Sequence, residues 1–221
     1  MKTMALKKPF GIITMVVILF SMVACSKDTA DVVIADPGLS LTIGAVTWAS
    51  RNVDAANTFA AAADTYTSFY QFNRNVAWPV SGTVTGWTSS IDEDSDWTTA
   101  NNPCPTGWRL PTNAEQQALV NAGSTWVEAD ARGNAVAGRY YGPNHATCRL
   151  DGDMTGCIFL PTVGFRNSSN GAVFGQGASG HYWSSVESTS LNGRYLILLS
   201  TGSSSVGNST KAYGFGIRCV R

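Results

Sequence analysis

Three short motifs, far apart in the chain, restrict what it can fold into. They are Cys104-Pro-Thr-Gly-Trp-Arg-Leu-Pro-Thr112, His181-Tyr-Trp-Ser-Ser185 and Gly214-Phe-Gly-Ile-Arg-Cys-Val-Arg221. Aromatic side chains dominate the buried surface of protein cores, so Trp108 and Trp183 are predicted to pack inside the domain. The first and third motifs each carry a cysteine, which could join the middle of the chain to its end.

The cysteines set a second constraint. Apart from Cys25, the chain contains Cys104, Cys148, Cys157 and Cys219, and four cysteines permit three pairings. Exported proteins meet oxidising compartments, which favour disulfides. Of the three pairings we predict Cys104–Cys219, which would tie the middle of the domain to its last strand, together with Cys148–Cys157, which closes a short loop. A metal site is not predicted, because C-x2-C spacing is absent and the chain has only two histidines.

The N-terminus predicts export. Three lysines among the first eight residues precede an apolar run over residues 12–22. This run is shorter than the roughly 20 apolar residues that a transmembrane helix needs. It leads into Met22-Val-Ala-Cys25, which is similar to the lipobox of bacterial lipoproteins, where the cysteine is lipidated.

We therefore predict a lipoprotein signal peptide over residues 1–24 and a lipidated tether over residues 25–38, with Cys25 as the lipidation site. An ordinary signal peptide cut after Ala24, leaving Cys25 free, is the alternative. The predicted location is the cell envelope, with the protein lipid-anchored to the outer membrane and exposed at the surface. Residues 39–221 are long enough to bury a sizeable core as one domain.

Charge argues against one class of partner. Without the three leader lysines, 12 Lys and Arg stand against 15 Asp and Glu, a formal net charge of −3. Binding to phosphate groups needs clustered Lys and Arg, so no nucleic-acid partner is predicted. Contact with a membrane is expected through the lipid anchor only.

Two local patterns are clear. Leu39–Ala49 has β-branched residues on both sides of Gly44, which predicts a β-hairpin. Residues 113–122 are predicted as a helix, because Thr112 and Glu115 have the spacing of a capping box.

Other segments are predicted from composition and alternation. Residues 55–63 are predicted as a second, short helix, and residues 69–72 as a strand. Residues 123–156 are rich in Gly, Asn and Asp and are predicted as long loops. Residues 194–200 are apolar at both alternating sets of positions, which predicts a strand buried on both faces. In the last strand, alternate residues from Tyr213 to Cys219 are expected to share one face, with Gly214 and Gly216 on the other.

In this order, the motifs resemble the Fibrobacter succinogenes major paralogous domain family. Trp108-Arg-Leu-Pro-Thr112 opens the capped helix, Tyr182-Trp-Ser-Ser185 follows, and Arg218-Cys-Val-Arg221 closes the chain, while Thr42–Trp48 fits the opening strand pair. The resemblance covers about residues 39–221. It implies an α+β, C-type-lectin-like fold with antiparallel sheets, one or two helices, long loops and disulfides, related also to formylglycine-generating enzymes.

The resemblance also implies a place for a ligand. In C-type-lectin-like folds the ligand face is formed by long loops outside the core sheet, here between about Gly123 and Gly180. Aromatic faces, amides and guanidinium groups in these loops suit a glycan or a protein surface. The predicted ligand-binding residues are Trp126, Tyr140, Tyr141, Asn144, His145, Arg149, Asp151, Arg166 and Asn167.

One acidic stretch suggests a metal. Asp92, Asp94 and Asp96 place carboxylates at alternate positions, an arrangement that Ca²⁺ can use. The stretch lacks the glycine and the distal glutamate of an EF-hand loop, so an acidic solvated turn is the alternative. No cofactor is predicted to be required.

No catalytic residue is predicted. Nucleophilic catalysis needs a serine or cysteine activated by a base, and His145 and His181 are the candidate imidazoles. Gly177-Ala-Ser-Gly-His181 lacks the spacing of a nucleophile elbow, so His181 is expected to be a surface histidine.

The family as a whole is similar to exported proteins and lipoproteins of Bacteroidetes-type bacteria, some of them attached to fimbrial or other surface assemblies. The predicted function is a non-enzymatic surface lipoprotein that acts as an adhesion or glycan/protein-binding module, in a fimbrial or other envelope assembly. The first alternative is a structural envelope component whose C-terminal strand pairs with partners. The second is an enzyme on a scaffold like that of formylglycine-generating enzymes.

Overall fold

A computed structural model describes residues 40–221. The predicted signal peptide and tether, with the lipidation site Cys25, lie outside the described residues. The elements in chain order are β1 (Leu41–Ile43), β2 (Val46–Asn52), β3 (Ser68–Phe69), β4 (Trp78–Pro79), α1 (Asn113–Asn121), β5 (Ser124–Val127), β6 (Gly138–Tyr141), β7 (Ile158–Pro161), β8 (Phe165–Arg166), β9 (Val173–Phe174), β10 (Ser179–Thr189), β11 (Asn192–Leu199), β12 (Ser205–Thr210) and β13 (Arg218–Val220).

The described strands form small antiparallel sheets. Three of these sheets have three strands each, in the orders β1-β2-β13, β5-β6-β7 and β10-β11-β12, and β3-β4 and β8-β9 are two-stranded. With one α-helix and both predicted disulfides, the domain has the α+β character that the sequence indicates. Residues 40–221 hold three hydrophobic core clusters and both disulfides.

The predicted hairpin and helix are confirmed. β1 and β2 pair across Gly44, whose φ of 62° lies in the left-handed region that favours glycine. The side chain of Thr112 accepts a hydrogen bond from the backbone N–H of Glu115, and the Glu115 carboxylate accepts one from the N–H of Thr112. This capping box begins α1 where the sequence predicts.

Both disulfides follow the predicted pairing. Cys104–Cys219 joins residues 115 positions apart, and Cys148–Cys157 joins residues nine positions apart. Trp108 and Trp183 are 3% and 0% exposed and belong to the same core cluster as the first disulfide, so their predicted burial is confirmed.

Several predicted elements are wrong. Residues 55–63 form bends and turns instead of a helix. The stretch predicted as loops over residues 123–156 contains β5 and β6, which pair with each other and, through β6, with β7. These strands are short and rich in polar residues, so alternation alone does not reveal them.

The strand β11 is buried on one face, not on both. Leu196 and Leu198 are buried, whereas Tyr195 and Ile197 on the opposite face are half-buried. The side chains of Tyr182 and Leu196 point into the core that α1 covers, and those of His181 and Ile197 point to the other face.

The last strand packs as the sequence predicts. Phe215, Ile217 and Cys219 lie in one core cluster, with Tyr213 packed against it. A Cβ atom at Gly214 would lie 2.8 Å from the ring of Trp87, so a close neighbour occupies the opposite face.

The C-terminal strand β13 has no free edge for a partner. It pairs with β2 on one side, and on the other Val220 and Arg109 exchange backbone hydrogen bonds of 2.8 and 2.9 Å. The suggestion that the C-terminal strand pairs with other proteins is therefore not supported by its place in the fold.

Candidate functional site

The three sequence motifs meet at one place. The Cys104–Cys219 disulfide joins the first motif to the third. The backbone N–H of Ser185, in the second motif, donates to the carbonyl of Pro111 at 2.7 Å. The carbonyl of Ser185 accepts a hydrogen bond from the backbone N–H of Trp97 at 2.8 Å. A fourth segment, which includes Trp97, is thereby brought against the second motif.

A groove of about 390 Å³ opens at this junction. Volumes of this size are typical of small-ligand sites. The groove is lined by one segment before the first motif, by the first motif itself and by the end of the second motif: Trp97, Thr98, Thr99, Asn102, Trp108, Arg109, Leu110, Thr112 and Ser185.

Hydrogen bonds hold one wall of the groove in place. The Asn73 Oδ1 atom accepts from the backbone N–H of Thr98 at 2.9 Å and from Asn101 Nδ2 at 3.2 Å. The indole N–H of Trp97 donates to the Asn101 carbonyl at 2.9 Å. Asn73 is buried and has a left-handed φ of 53°, which asparagine tolerates better than most residues. This wall is therefore fixed before any ligand arrives.

The opposite wall is fixed in the same way. Asn102 Nδ2 donates to the carbonyl of Trp108 at 2.9 Å, and its Oδ1 accepts from the backbone N–H of Cys104 at 3.1 Å. Asn102 thus spans the two walls beside the disulfide. A groove built this way has little conformational entropy to lose when it binds.

One ion pair lies at the edge of the groove. The Arg109 guanidinium donates two hydrogen bonds of 2.8 and 2.7 Å to the Glu115 carboxylate. These bonds lower the pKa of Glu115, so its carboxylate stays charged and keeps its capping role. The Arg109 side chain is 49% exposed and can meet a polar ligand from the solvent side.

The groove offers polar groups over an aromatic base. Trp97 and Trp108 are 9% and 3% exposed, so little of either ring is accessible to a ligand. Thr98, Thr99 and Ser185 add hydroxyl groups around them. Hydroxyl, amide and guanidinium groups suit a ligand rich in hydroxyls or carboxylates.

The chain was compared with known proteins. The family model described as the Fibrobacter succinogenes major domain matches residues 41–221. The chain belongs to this family. No curated protein and no solved structure matches it. Within residues 40–221, the major domain contains no helix long and apolar enough to cross a membrane.

The major domain does not bring the nine sequence-predicted ligand residues to one face. Tyr140, Tyr141 and Arg166 are 0% exposed, so the expectation that they lie on surface loops is wrong. Tyr140 and Tyr141 belong to the central strand of the β5-β6-β7 sheet, and their side chains point into core clusters on its two faces.

The other six predicted residues are at least partly exposed, and their polar groups bond locally. His145 Nδ1 lies 2.6 Å from the Thr125 hydroxyl, and Arg149 forms a bidentate ion pair with Asp151. Asn144 donates to the carbonyl of Thr155. The two remaining residues, Trp126 and Asn167, bond to Glu128 and to Ser169.

The acidic stretch does not converge on a cation position. No group of three or more His, Cys, Asp or Glu side chains within residues 40–221 is placed to hold a metal ion. Asp92 and Asp94 are exposed, and Asp96 accepts from the backbone N–H of Glu187 at 2.8 Å. The turn is held against the rest of the domain, because the buried Lys211 ammonium donates a hydrogen bond to the carbonyl of Glu93. Calcium binding at residues 92–96 stays a prediction, since these carboxylates do not converge on one point.

His181 is buried, so the expectation of a surface histidine is wrong. Its ring lies among Phe165, Tyr195 and Phe215, with centroids 4.8, 5.6 and 5.0 Å away. Its Nε2 is 3.2 Å from the Ser179 hydroxyl, and its Nδ1 has no hydrogen-bond partner among the described residues. Burial lowers the pKa of His181 to about 4.

This burial makes stability depend on pH. Below about pH 6.5 the unfolded chain protonates the imidazole while the folded chain does not, so the free energy of unfolding falls as the pH drops towards about 4. Between about pH 7 and pH 5 we expect a loss of about 2 kcal/mol, which His181→Phe removes. Urea unfolding of both proteins at the two pH values measures it. An equal loss in both would show that other groups are responsible.

The groove was not identified from the sequence, although five of its lining residues belong to the motifs: Trp108, Arg109, Leu110, Thr112 and Ser185. Trp108, Trp183 and the disulfide were assigned to the core, and that assignment is correct. The missing observation is the contact of the 97–102 segment with Asn73, which depends on hydrogen bonds between residues 25 and 28 positions apart. The available signal in the sequence was the run of Thr and Asn that follows Trp97, over residues 98–102.

Proposed function

We propose that the major domain is a non-enzymatic binding module of the cell envelope, and that the groove between Trp97 and Trp108 holds a sugar residue of a glycan. The supporting observation is the groove itself, with its fixed walls and its hydroxyl, amide and guanidinium groups. Sugars are recognised by such polar groups when they are positioned in advance. The predicted lipid anchor at Cys25 and the location at the outer membrane belong to this proposal, as does the C-type-lectin-like fold.

A binding role accounts for the arrangement better than the enzymatic alternative. The chemistry of formylglycine-generating enzymes needs free cysteines, and the four cysteines of the described part are joined in disulfides. His181 is enclosed by aromatic rings and is not among the residues that line the groove. A negative glycan screen would favour a protein ligand instead of a glycan.

The proposal is tested by glycan-array binding of the chain from Ser26 to Arg221, in the presence of calcium and in the presence of a chelator. We expect specific binding that the variant Thr99→Trp lowers at least about tenfold, because an indole at this exposed position fills the groove. Thr85→Trp is the matched control, because Thr85 is also exposed and does not line the groove.

Each outcome has a distinct meaning. Equal binding by Thr99→Trp and the parent protein would exclude the groove as the glycan site. Loss of binding with the chelator would indicate a cation, and the acidic stretch at Asp92–Asp96 would be the first place to examine. The absence of any glycan ligand on an oxidised, folded sample would contradict the glycan proposal itself.

A further inference from the structure

The outer edge of β12 is open among the described residues. Lys211 donates its backbone N–H to the carbonyl of Leu191 at 2.9 Å, so Lys211 and Leu191 form a hydrogen-bonded pair. Antiparallel pairs alternate, so residues 205, 207 and 209 bond to β11. The N–H and C=O groups of Val206 and Asn208 therefore point away from the sheet, where no other described residue bonds them.

The alternation of inward-facing and outward-facing backbone groups continues across the β10-β11-β12 sheet. On the far side, the backbone N–H of Trp183 donates to Gly216 at 3.1 Å, and the N–H of Gly216 donates to His181 at 2.9 Å. The outer edge of β10 is thus occupied. β12, with six residues, is the longest described strand with a largely open edge: among the described residues, the one backbone bond to that edge runs from the N–H of Tyr213 to the carbonyl of Thr210.

The β12 edge also lacks the usual protection against pairing. Natural edge strands are commonly blocked by a charge, a proline or a bulge. Residues 205–210 read Ser-Val-Gly-Asn-Ser-Thr, with no charged residue and no proline. They pair with β11 in a continuous register without a bulge. Ser205 and Asn208 are exposed.

We propose that β12 pairs with β12 of a second copy of this chain, in an antiparallel arrangement centred on Asn208. The residues with outward-facing backbone groups, Val206, Asn208 and Thr210, are spaced evenly about Asn208, so an identical strand fits the same register. Asn208 then lies opposite Asn208 of the partner subunit, and Val206 lies opposite Thr210 of the partner subunit. About four new backbone hydrogen bonds form, and two three-stranded sheets become one.

Symmetry favours a second copy over an unrelated strand. A two-fold axis always places identical side chains opposite each other at its centre, which is unfavourable for a charged residue. Asparagine is neutral and has both a donor and an acceptor, so two copies can bond to each other. The carbonyl of Thr210 already accepts from the N–H of Tyr213, which leaves its N–H as the group that bonds across the interface.

The first test is the oligomeric state of the chain from Ser26 to Arg221, measured by light scattering after size exclusion and by sedimentation from low to high micromolar concentration. We expect a reversible dimer whose dissociation constant rises at least about tenfold in Asn208→Lys, because two ammonium groups then face each other. Asn75→Lys is the control, with the same charge change at another exposed position. A monomer at all concentrations, or a dimer that Asn208→Lys leaves intact, overturns the proposal.

The second test fixes the register. In a hydrogen-bonded antiparallel pair the Cα atoms are about 5.5 Å apart, which a disulfide can span. Asn208→Cys should therefore form a covalent dimer under mild oxidation, and Asn75→Cys should not. Equal crosslinking of the two variants would contradict the pairing. Both results are independent of the glycan screen, since Asn208 is not among the groove residues.

Discussion

Replacing Cys104 and Cys219 together with alanine should lower the free energy of unfolding by about 5 kcal/mol. The disulfide closes a loop of 115 residues, and the unfolded chain gains the conformational freedom of that loop when the crosslink is removed. Denaturant unfolding followed by tryptophan fluorescence measures the change, because Trp108 packs in the same core cluster as the two sulfur atoms.

The second disulfide provides the matched control. Cys148–Cys157 closes a loop of nine residues, so its replacement by two alanines should cost only about 2.5 kcal/mol. The difference between the two double variants follows from loop length, since each removes two buried sulfur atoms. Equal losses would show that local packing, and not loop length, sets the contribution of each crosslink.

The first disulfide should also matter for the groove. Cys104 lies next to the Asn102 side chain that spans the two walls, and Val220, beside Cys219, pairs with Arg109. Glycan binding should therefore weaken in the Cys104/Cys219 double variant even where it is still folded. The Cys148/Cys157 variant should retain binding. Neither cysteine lines the groove, and neither is close in sequence to a residue that does.

The sequence predicted those parts of the domain that depend on local chemistry. The capping box needs only Thr112 and Glu115, and the first hairpin needs only a glycine with a positive φ between β-branched residues. Disulfide pairing was also predictable, because few pairings exist for four cysteines. Each of these features depends on a few residues whose types are informative by themselves.

The parts that were not predicted depend on distant partners. β5 and β6 carry serine, threonine, glycine and arginine, and Arg139 of β6 bonds to the carbonyls of Leu199 and Gly202, some 60 residues away. Tyr140 and Tyr141 were assigned to a ligand face because aromatic faces suit a glycan or a protein surface, but both are buried in core clusters that include Phe159 and Ile158 of β7. Side-chain type alone cannot distinguish a buried tyrosine from an exposed one when the strand that covers it is unknown.

Arg166 is the clearest case of this kind. It was predicted to bind a ligand, and it lies 0% exposed in the interior. Its guanidinium donates to the carbonyls of Pro79 at 2.7 Å, Ser81 at 2.9 Å and Gly82 at 3.1 Å, and to that of Gly171. Burial without a carboxylate lowers its pKa. The side chain therefore holds two surface turns against the sheet.

Arg166→Met should consequently destabilise the domain by about 4 kcal/mol, because it leaves several buried carbonyls without their donor while keeping the side-chain volume. Arg166→Lys should recover only part of this, since an ammonium cannot reproduce the planar fork of the guanidinium. Urea unfolding measures both variants, and limited proteolysis near Ser81 should show that the turn is released.

The matched control is Arg149→Met, which removes a guanidinium from an exposed pair with Asp151 and should leave the unfolding midpoint unchanged. The comparison decides between two roles for Arg166. If Arg166→Met were as stable as the parent protein but lost glycan binding, Arg166 would be a ligand residue after all, and the groove would not be the only contact. If stability falls as expected, any loss of binding in Arg166→Met reports unfolding, and a substitution at exposed Thr99 is the informative test of the site.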